Sequence, residues 1–235
     1  MNLDLDTHLF KYLNNPESSK AEWNVLVKEG LERQLHKDIC ESISIYKAEP
    51  VFYHLTLRMN EKWMRQFSRK SSYRTQVIWD ITSMLLGKIN LRLVKHPNRT
   101  CNQQYNLRFW TATENRTQEG SFTDDHSHTL LMVNPKHIEK WSNPNHLGSI
   151  VQSILHKSRP FTARGIETHL ARDCHSIDVK HISTPKQFQK TMNYGFKTAT
   201  DSNTDNAFTI TNQNSWRKIY AEQNDARQNP NLPSA

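Results

Sequence analysis

Two histidines, His126 and His128, are separated by one residue in the segment His-Ser-His-Thr-Leu-Leu-Met-Val. Alternate side chains of a β-strand project from the same face, so in a strand the two imidazoles would lie about 7 Å apart on one face. Imidazole binds Zn, Mn, Fe and similar ions, and a nearby carboxylate would favour a hard divalent ion such as Mn²⁺ or Mg²⁺. The chain contains 12 His, so a close pair is also expected by chance, and a polar strand end is the alternative interpretation. The flanking segments must decide between the two.

A carboxylate approaches this pair in a predicted hairpin. Apolar and polar residues alternate from Tyr105 to Glu114, which predicts a strand ending at Glu114. Residues 115–125 are mostly polar and include Gly120, which predicts a long hairpin loop leading into the histidine strand. Strands joined in this way are antiparallel neighbours, so the hairpin brings Glu114 towards the histidines.

The remaining segments predict a mixture of strands and helices. Strands are predicted over 51–57, 176–182 and 208–211. These segments either are rich in β-branched or aromatic residues or have side chains of alternating character. Apolar residues at steps of three and four predict a helix over 21–43 and helical segments from Trp63 to Gly87, with Gly87 as a C-cap. Helices are also predicted over 135–141 and 147–157, over 165–170, and from a Ser183 or Thr184 cap to Lys197.

Length and charge limit the class of protein. A chain of 235 residues with 35% hydrophobic composition can bury one core of roughly 150 to 200 residues and leave arms. The formal net charge of +8 and the pI near 9.4 favour a polyanionic partner. Nucleic acid is favoured over membrane, because the mean hydropathy is −0.80 and no apolar run approaches about 18 residues. A basic stripe of Lys62, Arg65 and Arg69 suits phosphates, although a solvated helix face explains it equally well.

Cysteine usage and the first residues indicate a cytoplasmic protein. Cys40, Cys101 and Cys174 are odd in number and far apart, so they predict neither a disulfide framework nor a paired-cysteine zinc site. The first six residues include two aspartates where a signal peptide would be basic and then apolar. No Walker A loop is present, so any motor that unwinds nucleic acid must come from another protein. Residues beyond 222 have the composition of a disordered tail.

Three motifs in a fixed order give the chain a resemblance to a known family. They are Phe-Tyr-His-Leu-Thr-Leu at 52–57, the His126/His128 strand, and Tyr194-Gly-Phe-Lys197 in a predicted helix. This order resembles the rolling-circle replication initiators of the HUH endonuclease superfamily, whose motifs are an aromatic-Leu-Thr strand, His-x-His with hydrophobic residues, and Tyr-x-x-Lys. Ser127 and His54 depart from the pattern, because the family usually has hydrophobic residues at both positions.

The resemblance implies an α+β fold, with a central antiparallel sheet of about five strands and helices mainly on one face. It implies an endonuclease domain over 46–213, preceded by an arm and helix over 1–45 and followed by a polar tail over 214–235. His126, His128 and Glu114 would hold Mg²⁺ or Mn²⁺, with Glu119 and Asp125 as other possible ligands. Tyr194 would be the nucleophile, assisted by Lys197.

The implied activity is replication initiation on a plasmid or phage. One DNA strand, single-stranded or in an origin hairpin, would be nicked to give a 5′-phosphotyrosine and a 3′-hydroxyl primer, and would later be rejoined. A host helicase and polymerase would be partners, and a relaxase or transposase would use the same chemistry. Two other hypotheses stay open: a 2H-type phosphoesterase using His54 and His181, each followed two residues later by Thr or Ser, and a non-catalytic nucleic-acid-binding protein.

Overall fold

The computed structural model describes residues 33, 35–67, 71–97, 99–116, 122–139, 141, 143–200 and 208–211. The predicted arm and most of the predicted 21–43 helix, together with the polar tail, lie outside these residues. In chain order the elements are α1 (35–46), β1 (Val51–Met59), α2 (Glu61–Met64), α3 (Ser71–Leu93), β2 (Arg108–Arg116), β3 (Phe122–Val133), α4 (His146–Lys157), β4 (Phe161–Ala163), β5 (Ile166–Thr168), α5 (Leu170–Asp173), β6 (Cys174–Ile182), α6 (Pro185–Thr200) and β7 (Phe208–Thr211), with 3₁₀ turns at Thr100–Tyr105 and Pro135–His137.

The main sheet is antiparallel throughout, with strand order β6-β1-β3-β2-β7. This confirms the α+β class and the antiparallel pairing. Four long strands, β6, β1, β3 and β2, make up the body of the sheet. The segment Phe208–Thr211 adds a four-residue pairing to the outer edge of β2. A separate two-stranded hairpin, β4-β5, lies outside the sheet.

The larger core fills the first face of the sheet. Alternate residues of β1 and its neighbours, such as Leu55, Leu57 and Leu131, are fully buried against α3 and α4. Each such side chain stabilises the fold by about 1.5–3 kcal/mol through burial. Helix α3 does not end at Gly87 as predicted but continues to Leu93, because Ile89 extends its buried stripe.

A second core covers part of the opposite face. There α1 and α6 pack on β2 and β3, so the helices are not mainly on one face, as was predicted. The reason lies in the sequences of the strands. Their residues that point to the second face are apolar at one end of the strands and polar at the other. The apolar end carries Trp110, Leu130 and Met132, which pack with Leu35 of α1 and Met192 of α6.

A polar cluster fastens α1 to this second face. The Asp38 carboxylate accepts a 3.0 Å hydrogen bond from the indole N–H of Trp110 and lies 3.7 Å from the Arg108 guanidinium. Arg108 also donates to Glu41 at 2.9 Å. Asp38 and Arg108 are nearly buried, so the described part of the predicted N-terminal helix packs on the domain, as expected from its apolar stripe.

Two local predictions between β3 and β6 are wrong. Residues 165–170 form strand β5 and the start of α5 rather than one helix, because Arg164 and Gly165 take φ values of 48° and 79° and close the β4-β5 hairpin. Among the described residues of 135–141, only Pro135–His137 are helical, and they form a 3₁₀ turn. Helix α4 and strand β6 form as predicted. In the described residues, no helix has both the length and the apolar character needed to cross a membrane.

Candidate active site

The two histidines lie on the second face of the sheet, near the middle of β3. His126 is 8% exposed and His128 is half-buried, and their ring centroids are 4.9 Å apart. The same-face arrangement predicted from strand alternation is therefore present. Strand β3 begins at Phe122, which makes the hairpin loop shorter than predicted and puts the pair within the paired region instead of at a strand end.

The position of the Ser127 side chain explains why a polar residue can stand here, where the resembled family usually has a hydrophobic one. Its side chain projects to the first face, where its hydroxyl lies 2.9 Å from the hydroxyl of Thr82 in α3. Both residues are fully buried. A hydrogen-bonded pair of hydroxyls thus occupies the position that a bulky hydrophobic residue would fill. The second face, which bears His126 and His128, is unaffected.

The β2-β3 hairpin aligns Glu114 directly with His126 and Ala112 with His128. Residues directly opposite in an antiparallel pair have Cβ atoms about 4.5–5.5 Å apart. The register thus gives Glu114 a position next to the histidines, although its side chain lies outside the described part of the structure. Among the side chains that are described, no three His, Cys, Asp or Glu groups gather closely enough to hold a metal ion.

Of the two alternative carboxylate ligands, Asp125 is described and lies away from the histidines. Asp125 precedes His126 and lies on the other face, where it is 3% exposed and bonded to Arg74 at 3.0 Å. Its charge is already neutralised there, away from the histidines. Glu119 lies outside the described residues. Two imidazoles and the Glu114 position across the hairpin form a donor set that fits a hard divalent ion.

A third histidine belongs to the site, and sequence reasoning missed its contact. His54 on β1 has its Nε2 atom 3.2 Å from Nδ1 of His128, and the two rings stack at 5.3 Å with an interplanar angle of 25°. Thr56, directly opposite His128, has its hydroxyl 3.3 Å from the same Nδ1 atom. From the alternation of β1 it could have been predicted that His54 and Thr56 share one face. Their approach to His128 depends on the β1-β3 pairing, which the alternation does not reveal.

The surroundings favour a neutral His54. Burial lowers the pKa of His54, the positive charge of Lys180 lowers it further, and Asp178 opposes this effect. Lys180 and Asp178 lie opposite His54 and Thr56 on β6 and form an exposed 2.7 Å ion pair with each other. A neutral imidazole can accept a hydrogen bond at one nitrogen, which a protonated one cannot.

Helix α6, which carries the predicted nucleophile, lies over this face. It contacts β2, β3 and β6, and its Thr191 and Met192 help to line a small cleft above the histidines. Tyr194 follows Thr191 by three positions, or about one helical turn. The side chains of Tyr194 and Lys197 lie outside the described part of the structure. The cleft is lined by His54, Trp110, Ala112, His128, Leu130, Thr191 and Met192.

The predicted cap of α6 holds this helix at its start. The Thr184 hydroxyl accepts a 3.2 Å bond from the backbone N–H of Gln187, and the Gln187 side chain accepts a 2.9 Å bond from the backbone N–H of Ser183. These reciprocal bonds resemble a capping box. The predicted cap at Ser183 or Thr184 is thus confirmed, with Pro185 in the first turn.

Three other tyrosines, whose side chains are described, do not compete for the nucleophile's role. Tyr53 is buried on the first face and donates to the Pro144 carbonyl, and burial raises its pKa to about 12. Tyr46 is buried at the end of α1, and burial raises its pKa as well. Tyr105 closes a 3₁₀ turn and is half-buried. None of these three lines the histidine cleft.

The predicted basic stripe does not form one helix face. Lys62 is exposed in α2, but that helix ends at Met64, and Arg65 forms its C-cap and pairs with Glu61 at 2.6 Å. Arg69 lies outside the described residues. The stripe was predicted from spacing alone, and the turn after Met64 breaks the helical periodicity on which that prediction depended.

His181 lies away from the site. It is directly opposite Tyr53 on β6, and its ring contacts the Tyr53 ring at 5.4 Å on the first face. His54 is on the second face. The two histidines proposed for a 2H-type phosphoesterase therefore do not face one pocket, which counts against that hypothesis.

No family model, curated protein or solved structure matches this chain. Any functional conclusion therefore rests on the residues and geometry of the chain itself.

Proposed function

We propose that the protein is a metal-dependent DNA nicking and joining enzyme of the HUH type that uses Tyr194 as its nucleophile. The observation that carries the proposal is the position of α6. This helix packs on the sheet face that bears His126 and His128, and the turn before Tyr194 lines a cleft with His128. The register of Glu114 opposite His126 supplies a carboxylate position at the same point of the face.

The chemistry follows from the electrostatics of a phosphodiester. His126, His128 and Glu114 would hold Mg²⁺ or Mn²⁺, which when bound acts as a Lewis acid on the scissile phosphate. The Tyr194 hydroxyl oxygen forms a bond to phosphorus, the bond from phosphorus to the 3′ oxygen breaks, and the tyrosine proton is transferred to the departing 3′ oxygen. The products are a 5′-phosphotyrosine and a free 3′-hydroxyl, and the reverse reaction rejoins the strand.

Tyrosine needs assistance because its ordinary pKa is near 10, which leaves it mostly protonated at neutral pH. Lys197 follows Tyr194 by three residues on the same helix, and we assign it the role of a cation that stabilises the developing phenolate or phosphate charge. The net charge of +8 favours a nucleic-acid substrate through phosphate contacts. Exposed Lys62 is one candidate for such contacts.

The biological role that best fits this chemistry is replication initiation on a plasmid or phage. The free 3′-hydroxyl would prime synthesis by a host polymerase, and a host helicase would unwind the strand. A relaxase or transposase would use the same site. Because one fold and one site chemistry serve several biological roles, the nicking reaction is the primary proposal and the replication role is secondary.

The proposal is tested by covalent adduct formation. The full-length protein is incubated with a labelled library of single-stranded DNA and Mn²⁺ or Mg²⁺, and the products are separated on a denaturing gel. We expect a DNA–protein adduct that is lost with EDTA, with Tyr194→Phe, and with the double substitution His126→Ala/His128→Ala. Tyr105→Phe is the matched control, because Tyr105 does not line the cleft.

Three outcomes would redirect the assignment. Salt-sensitive DNA binding without an adduct on any strand would favour the non-catalytic nucleic-acid-binding protein. An adduct that survives Tyr194→Phe would mean that another residue is the nucleophile. Metal-independent hydrolysis of a cyclic phosphate that depends on His54 and His181 would favour the 2H-type enzyme, although the two side chains lie on opposite faces of the sheet.

A further inference from the structure

The site contains one polar contact that neither the resemblance nor the proposed reaction uses. It is the 3.2 Å approach of His54 Nε2 to His128 Nδ1, at a position where the resembled family usually has a hydrophobic residue. We infer that His54 is a positioning residue that holds His128 in the tautomer whose Nε2 atom binds the divalent metal. This inference rests on the proposed metal site and deepens it.

The contacts of His128 distinguish its two ring nitrogens as metal ligands. Nδ1 is already in contact with two groups, His54 at 3.2 Å and the Thr56 hydroxyl at 3.3 Å. Binding a metal through Nδ1 would break both contacts. Nε2 of the same ring makes neither of these two contacts, so binding a metal through Nε2 leaves both of them in place.

The position of the proton follows. A neutral imidazole that binds a metal through Nε2 carries its proton on Nδ1. That proton is then donated to His54 Nε2, which must be unprotonated, so His54 carries its own proton on Nδ1. The Thr56 hydroxyl oxygen is a second acceptor for the same proton. Metal-binding histidines generally donate the other ring N–H to such an acceptor, which orients the ring and raises its basicity.

Packing reinforces this arrangement. The His54 and His128 rings stack with only 25° between their planes, and both line the cleft beneath α6. His54 is flanked by β3 on one side and by β6 on the other, through its register partners Leu130 and Lys180. The ring of His128 is therefore restrained by its contact with the near-parallel ring of His54.

The test compares three replacements of His54 in the full-length protein. His54→Gln retains an acceptor near the Nε2 position, His54→Leu removes the acceptor and the ring, and His54→Phe keeps a stacking ring without an acceptor. The first readout is the histidine tautomer, measured in metal-free protein by two-bond ¹H–¹⁵N correlation at a pH of about 8, well above the ordinary histidine pKa of about 6.5. The His128 signal is assigned from the spectrum of His128→Gln.

We expect the Nδ1–H tautomer of His128 in the wild type and in His54→Gln, and its loss in His54→Leu and His54→Phe. The second readout is Mn²⁺ affinity, measured by the loss of the free-ion electron paramagnetic resonance signal. Removal of such a supporting contact weakens metal binding about 10–100-fold, so both apolar variants should show this loss and His54→Gln should recover most of it. Thr56→Val removes only the second acceptor and should have a smaller effect.

The outcomes separate this inference from the proposed function. Suppose that the wild type binds Mn²⁺ and that both apolar variants keep its His128 tautomer and its Mn²⁺ affinity. That result would overturn the role of His54 and leave the nicking proposal intact. An Nε2–H tautomer of His128 in the wild type would also overturn the inference. No Mn²⁺ binding by the wild type would overturn both, whereas a missing DNA adduct with normal His54-dependent Mn²⁺ binding would count against the nicking reaction alone.

Discussion

The attachment of α1 to the sheet gives a quantitative stability prediction. Asp38→Ala removes the acceptor of the Trp110 indole N–H and one of the two carboxylates near Arg108. The side chains of Asp38 and Arg108 are only 10% and 11% exposed, so solvent can replace little of what is lost. Glu41 still pairs with Arg108 at 2.9 Å, which limits the cost.

The magnitude follows from these contacts. Removing one partner of a fully buried ion pair costs about 3–5 kcal/mol, and leaving a buried donor without its acceptor costs about 1–3 kcal/mol. Because Arg108 retains Glu41, we expect Asp38→Ala to lower the free energy of unfolding by about 3 kcal/mol, near the bottom of the first range. For a domain of this size that corresponds to a fall in Tm of roughly 6–12 °C. Asp38→Asn keeps an acceptor for Trp110 and should cost less.

The assay is equilibrium urea unfolding followed by tryptophan fluorescence and circular dichroism. Glu41→Ala is the matched control, because Glu41 lies on the same helix and contacts the same arginine but is 49% exposed. Exposed ion pairs contribute about 0–1 kcal/mol. Equal losses below about 1 kcal/mol for Asp38→Ala and Glu41→Ala would refute the conclusion that a buried polar cluster holds α1 on the sheet.

Two further predictions concern single side chains. Ser127→Ala should lower the free energy of unfolding by about 1–2 kcal/mol. The double variant Ser127→Ala/Thr82→Val should lose less stability than the sum of the two single variants, because both hydroxyls of the buried pair are then removed. Strictly additive losses in urea unfolding would contradict this. Iodoacetamide at a pH of about 8 should alkylate the exposed Cys40 and Cys101 but spare Cys174 until the protein is denatured, because burial raises the pKa of Cys174 to about 12. Equal labelling rates of all three thiols, measured by mass spectrometry of peptides, would refute that assignment.

The parts of the fold that follow a local period could be predicted from the sequence. Strands β1, β2, β3 and β6 alternate in side-chain character, and α4 and α6 have helical spacing and clear starts. The same alternation put His126 and His128 on one face, and the predicted hairpin between β2 and β3 brought Glu114 towards them. These predictions depend on residues close together in the chain.

Contacts between distant segments could not be predicted in the same way. His54 and His128 are 74 residues apart, and Asp38 and Trp110 are 72 apart. Their meeting depends on which strands pair and in which register, and a register shift of one residue would reverse the face of every side chain. The alternation of β1 is compatible with several partners, so it gave no information about the third histidine or about the helix that covers the second face.

The central claim is that Tyr194 forms a covalent bond to DNA on the histidine face of the sheet. The most direct measurement is mass spectrometry of the peptide from a trypsin- and nuclease-treated adduct made with Mn²⁺ and single-stranded DNA. We expect a peptide that contains Tyr194 and carries a 5′-linked nucleotide, and we expect this peptide to be absent from His126→Ala/His128→Ala protein. A nucleotide on any other residue, or an equal yield from the double variant, would contradict it.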